Sequence, residues 1–158
     1  MVSGWEAGDY LDRPLRELLD DAAGSAPVPA AGSTIATTAA LAAALTAKVA
    51  RRSQRDDAAE LATRADQLRS RVETGIAADA AAYADVLATP RNERDPDKAA
   101  IWPRTVREVA YELAEIADDL VDNGNPNLRY DADAAARLAA LSAEIAESLL
   151  RANEGLTG

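Results

Sequence analysis

The sequence predicts an all-α protein, a compact bundle of about five helices built around a central alanine-rich helix. Three observations carry this. Alanine supplies 39 of the 158 residues, phenylalanine none, and tryptophan and tyrosine only two and four, so large core anchors are scarce. Apolar residues recur at steps of three and four, the helical period. Proline, glycine and asparagine gather in the segments GSAPVPAAG, TPRNERDP and DNGNPNLRYD, which punctuate the helical stretches. Alanine faces let helices approach toward the short end of about 8 to 10 Å but bury little apolar area per residue, so several helices or a second subunit must share them. The length suits a single domain spanning residues 1–158.

The first helix is expected over Tyr10 to Ala23, with leucines at 11, 15, 18 and 19, Pro14 in its first turn, Asp12 as a cap and Gly24 as its end. The central helix is Ser33 to Ala50, with Ile35, Ala39, Ala42, Leu45 and Val49 in register, no charge before Lys48, and Ser33 or Thr34 as its cap. Its length approaches a membrane span, but alanine and threonine are weakly hydrophobic and no aromatic belt flanks it, so it reads as a buried helix and no membrane is expected. A long third helix, Asp56 to Leu87, carries Leu61, Ala65, Leu68, Val72, Ile76, Tyr83 and Val86 on one stripe. Asp95 followed by Pro96 opens the fourth, which Pro103 either breaks or kinks before Val106, Val109, Leu113, Ile116 and Leu120 continue it. Gly124, Asn125 and Pro126 end that helix, and the last one runs to about Asn153. Trp102 reads as a packing anchor.

Composition restricts the chemistry. With no cysteine and no histidine, the chain has no disulfide, no thiolate or imidazole zinc site and no histidine or cysteine mechanism, so no metal is expected. Carboxylates, water, hydroxyls, amides, lysine or arginine must do any chemistry. Seventeen basic against 27 acidic residues give a net charge of −10, which opposes nonspecific nucleic-acid binding while leaving room for a local basic patch. The opening MVSGWEAGDY has neither a basic n-region nor a long apolar core, so no signal peptide is expected and the protein is placed in the cytoplasm.

Candidate functional residues fall in four places. The loop with Pro27, Pro29, Gly32 and Ser33 leads into a helix start that can receive an anion, although a plain link has the same composition. Lys48, Arg51, Arg52 and Arg55 cluster where the central helix ends, either complementing its C-terminus or meeting an anionic ligand. Asp79 lies on the apolar stripe, either exposed at its edge or desolvated with a raised pKa, and Tyr83 follows one turn later. Asp131 aligns with Ala134, Leu138, Leu141 and Ile145, as a second inward acid or as a cap.

The LxxLLDxxA helix, PVPAAGS, the alanine helix, DAAAYADVLATP and above all GNPNLRYDA together resemble the cyclodeaminase/cyclohydrolase family, over roughly residues 10 to 153. This is the family of the C-terminal domain of formiminotransferase-cyclodeaminase and of free-standing bacterial methenyltetrahydrofolate cyclohydrolases. The resemblance implies a helical homodimer that binds a tetrahydrofolate derivative near the subunit interface. It implies conversion of 5-formiminotetrahydrofolate to 5,10-methenyltetrahydrofolate with loss of ammonia, or hydrolysis of the methenyl compound to 10-formyltetrahydrofolate, without a metal. The family's loop pattern falls on Pro27, Pro29, Ala30, Ala31, Gly32 and Ser33, its acidic segment on Asp79, Ala82 and Tyr83, and its asparagine turn on Gly124, Asn125, Pro126, Asn127, Tyr130 and Asp131. Asp79 and Asp131 are then the expected catalytic acids. Pro29, Gly32, Ser33, Tyr83, Asn125 and Asn127 are expected to contact the folate, and Lys48, Arg51 and Arg52 to meet its glutamate carboxylates. Two family glycines are replaced by Ala30 and Ala31, a serine by Tyr130, and the asparagine-rich ending is met only by LLRANEG. These departures also suit a noncatalytic helical dimer that binds a protein partner or another small molecule.

Overall fold

The computed structural model describes residues 9–155; residues 1–8, which make up most of the stretch behind the expectation of no signal peptide, lie outside the described residues. Five α-helices follow one another: α1 Leu15–Ala23, α2 Ala31–Arg51, α3 Ala58–Ala88, α4 Pro96–Asn123 and α5 Arg129–Glu154. Short 3-10 turns occupy Asp9–Asp12, Arg91–Glu93 and Pro126–Leu128. The architecture is the all-α bundle that the periodicity predicts.

The alanine-rich α2 is the helix the others surround, packing against α3, α4 and α5. Ile35, Ala36, Ala39, Ala42, Ala43, Ala47 and Val49 are all buried. It is long and apolar enough to cross a membrane, but more than half of that window is buried inside the fold. Polar groups in the core are served by their own helices: the Thr46 hydroxyl donates to the Ala42 carbonyl and the Ser142 hydroxyl to that of Leu138, each at 2.8 Å.

Cross-helix pairs fix the directions. Gly32 faces Asp79 while Arg51 pairs with Asp66, so α2 and α3 are antiparallel. Arg64 with Glu112 and Arg71 with Glu108 set α3 against α4 in the same sense. Tyr111 with Glu147 and Ala99 with Asn153 do so for α4 and α5. These ion pairs are mostly exposed and contribute little each, but they agree on one register. Trp102 anchors the α3–α4 contact by lying on Gly75, where an added Cβ would come within 2.7 Å of the indole.

Several local expectations are corrected. The first helix is split: Tyr10 and Leu11 lie in a 3-10 turn, and α1 starts only at Leu15, with Pro14 as its N-cap in place of a first-turn residue. α1 buries no residue fully, and Leu15 and Leu19 are exposed. α2 starts two residues earlier than expected, capped by Ala30 without a side-chain bond. Thr34 uses its hydroxyl to bond back to the Ala30 carbonyl, so it is not the cap. Gly32 is therefore helical, and its value lies in the missing Cβ. Pro103 does not break α4, which runs unbroken past it, and Asp95 caps that helix by accepting from the Asp97 amide.

The bundle thus has two functional-looking ends. One gathers the start of α2, the later part of α3, the start of α4 and the end of α5. The other gathers the end of α2, the start of α5 and the asparagine turn.

Candidate functional site

The first end holds Asp79. α3 brings its side chain onto α2 where Gly32 stands, and a Cβ there would lie 2.0 Å from Asp79 Oδ2. Only a residue without a side chain permits that approach. The carboxyl is 8% exposed and is pushed up to about 6 by burial, with the Ser33 backbone N–H, which donates to it, pulling partly the other way. The first amides of α2 add the positive end of a helix. Ser33 itself is buried; its hydroxyl has no hydrogen-bond partner, while its carbonyl accepts from Thr37 at 2.9 Å.

Asp79 opens onto a cavity of about 240 Å³ lined by Ala30, Ala31, Gly32, Tyr83, Ala99, Pro103, Leu149, Ala152 and Asn153. Tyr83 shares this wall with Asp79, as their one-turn spacing predicts. Pro29 is buried behind the loop and follows Val28 through a cis peptide bond. Ala30 and Ala31, which replace glycines of the resembled pattern, adopt no positive φ, so their methyls narrow the mouth without backbone strain.

A side chain the periodicity did not single out completes the wall. Pro103 has no N–H, which leaves the carbonyl four residues earlier, that of Ala99, without its helical donor. Asn153 Nδ2 donates to that oxygen at 2.9 Å. The end of α5 is thereby tied to α4 at the cavity rim.

The second end holds the other candidates. Asp131 is in the first turn of α5, and no side chain caps that helix. Lys48 Nζ donates to Asp131 Oδ2 at 2.7 Å, and the Asp131 side chain is 35% exposed. Arg51 is engaged by Asp66, and Arg55 by Asp57 and Asp119. Arg52 is exposed and lines a cavity of about 390 Å³ with Asn125 and Asn127. Asn125 is chiefly a stitch: its Oδ1 accepts from the Asn127 amide at 2.9 Å, its Nδ2 donates to the Arg52 carbonyl at 2.7 Å, and its own amide donates to Ser53 Oγ at 3.1 Å.

Within the chain the two acids are not neighbours. Gly32 beside Asp79 and Lys48 beside Asp131 are about 24 Å apart along α2 at 1.5 Å per residue. Among the described residues, no group of three or more acidic side chains converges as a metal site.

The sequence pattern of the formiminotransferase-cyclodeaminase family matches residues 14–156. The chain belongs to that family. The fold agrees: the crystal structure of a formiminotetrahydrofolate cyclodeaminase from Thermotoga maritima superposes with a TM-score of 0.82 at 22% identity, covering 91% of this chain and 79% of that one. No curated protein sequence matches the chain. Pro29, Gly32, Ser33, Asp79 and Tyr83, expected from resemblance to this family, meet at one end of the bundle, and Lys48, Arg52, Asn125, Asn127 and Asp131 at the other.

The buried carboxyl makes stability depend on pH. The native pKa of about 6 lies above the ordinary 3.8, so between these values the folded chain binds more protons than the unfolded one. The associated stabilisation is complete below the unfolded value and is lost as pH rises through about 6. Asp79→Asn is expected to melt about 6 to 12 °C above the parent at pH 8 and to come close to it near pH 4, as read by thermal denaturation. A difference that stays constant across that range would contradict desolvation of Asp79.

Proposed function

We propose that the chain is a folate-dependent one-carbon enzyme, hydrolysing 5,10-methenyltetrahydrofolate or removing ammonia from 5-formiminotetrahydrofolate by aspartate acid–base chemistry. The observation that carries this reading is the desolvated Asp79 at an apolar cavity beside a helix N-terminus, in a chain of this family. A carboxyl with a pKa near 6 exists in both forms at neutral pH, which suits a group that takes and returns a proton. In the hydrolysis, water adds to the cationic methenyl carbon while the Asp79 carboxylate accepts its proton. The carbon–N5 bond then breaks as the same proton passes to N5, the formyl group stays on N10, and the carbinol proton leaves to solvent. In the deamination, N10 closes on the formimino carbon as its proton passes to the imine nitrogen; the Asp79 carboxyl then gives that nitrogen a second proton, the exocyclic carbon–nitrogen bond breaks, and ammonia leaves the methenyl cation. The Thermotoga maritima relative is a formiminotetrahydrofolate cyclodeaminase, which supports the cyclodeaminase branch.

The reading includes a homodimer. α2 presents an uncovered stripe of Thr34, Thr38, Leu41, Leu45 and Lys48, with Leu41, 59% exposed, close to midway between Gly32 and Lys48. Two such stripes crossing antiparallel about a twofold axis bring the Lys48–Asp131 end of one protomer beside the Asp79 end of its partner. Asp131, paired with Lys48 at 2.7 Å, then orients water or holds the cationic carbon. A noncatalytic dimer on the same scaffold is the second reading, and the Ala30 and Ala31 methyls at a 240 Å³ cavity favour it.

Purified protein is expected to turn over methenyltetrahydrofolate. Asp79→Asn should lower kcat by about 10² to 10⁴ while raising stability at pH 8, and Asp131→Asn should lower it at least about tenfold. A folded dimer with neither turnover nor calorimetric binding of methenyltetrahydrofolate or formiminotetrahydrofolate would establish the second reading. Because the chain has no cysteine, Leu41→Cys should oxidise to a covalent dimer while Leu141→Cys, exposed on α5, does not. Monomeric mass in solution and no selective cross-link would contradict pairing through α2.

A further inference from the structure

Most hydroxyl groups on these helices bond within their own helix. Those of Thr34, Thr37, Thr38, Thr46 and Ser53, on α2 or just after it, donate to the carbonyl four residues earlier, and those of Ser142 and Ser148 on α5 do the same. Among the described residues, Ser33 carries the one buried hydroxyl without a partner, on a residue 1% exposed. The cause is its place in the chain. The carbonyl four residues before Thr34 is that of the N-cap Ala30, and it accepts; the one four residues before Ser33 is that of Pro29, which lies outside the helix beyond the extended backbone of Ala30. A buried hydroxyl left unbonded is costly, so this one calls for a partner that forms in another state of the site.

An acceptor stands beside it. The Ser33 backbone N–H donates to the Asp79 carboxyl, and the neighbouring Gly32 is the seat on which that carboxyl rests. The hydroxyl belongs to the same residue as that amide, and a gauche χ1 places it on the amide's side, so rotation about one bond carries it to the acid without moving the backbone. Gly32 and Asp79 line the cavity and Ser33 does not, so Ser33 acts on the acid and not on a ligand. Tyr83 of α3 is the other titratable side chain on that wall; the residues of α2, α4 and α5 that line it carry no charge. With no cation on the wall, hydrogen-bond donors must hold the ionised acid.

We infer that Ser33 is a positioning residue for Asp79: its hydroxyl turns to donate to the carboxylate when the proton has left, and lets go when the proton returns. The charged acid is then held through both donors of one residue, the amide and the hydroxyl, which keeps the carboxylate turned toward the cavity. The protonated acid keeps the amide alone, the arrangement the structure shows. This rests on the reading of Asp79 as an acid that gives up and takes back a proton, and it adds the group that steadies the charged form.

An NMR titration of the Asp79 side-chain carboxyl carbon in the purified parent and its variants tests the inference without any ligand. In Ser33→Ala the acid should titrate about one pH unit above its midpoint in the parent, because a donor to its charged form is gone. Ser33→Cys, a weaker donor of similar size, should fall between. Ser142→Ala, which removes a buried hydroxyl bonded to the Leu138 carbonyl, should leave the midpoint where the parent has it. Circular dichroism of Ser33→Ala should match the parent, since the hydroxyl it removes has no intramolecular partner. In methenyltetrahydrofolate turnover, the acid limb of the kcat/KM profile should move to higher pH with the midpoint. An Asp79 midpoint that is the same in Ser33→Ala, Ser33→Cys and the parent overturns the role of Ser33 and leaves the folate reading standing. A parent with neither turnover nor folate binding removes the folate reading, while the shift of the midpoint still decides the role of Ser33.

Discussion

The contact on which the rest depends is the seat of Asp79 on Gly32. A carboxyl placed against a helix backbone at that distance leaves no space for a methyl group, and so none for water between the two helices. Desolvation drives the carboxyl toward its protonated form, while the Ser33 amide and the start of α2 draw it back toward the ionised one. The balance falls near neutrality. Without burial the carboxyl would sit lower, and without the Ser33 amide it would sit higher still.

The alanine-rich core is what brings the backbones to that separation. Ala36, Ala39, Ala43 and Ala47 hold α2 among three helices with little bulk between them, at the cost of apolar area per residue. The same slenderness places Trp102 on Gly75 between α3 and α4. It also leaves a stripe of α2 with Leu41 uncovered, so the feature that forms the acid's seat also creates the surface that a second copy can cover.

Much of this was legible in the sequence, because burial follows period. The stripe from Leu61 to Val86 leaves Asp79 either at an exposed edge or desolvated, and the structure shows it buried. The Asp95–Pro96 pair marks the start of α4, and GNPN marks the turn before α5. Period says which face a residue occupies but not which end of a neighbour it meets, so it does not show that Asp79 and Asp131 lie at opposite ends of α2. The cap of α2 was misplaced because Ser33 and Thr34 are good capping residues that here serve other hydrogen bonds. Local sequence does not show that α4 continues past Pro103, because the Asn153 amide that serves the Ala99 carbonyl comes from more than fifty residues away.

The state of the Asp79 carboxyl can be observed directly. A carbon-detected NMR titration of protein labelled at aspartate side-chain carbons, with Asp79→Asn used to assign the resonance, should show that carboxyl titrating at about 6, well above the ordinary 3.8. A midpoint near 4 would mean that water reaches the carboxyl, and the desolvated acid at the centre of this account would not exist.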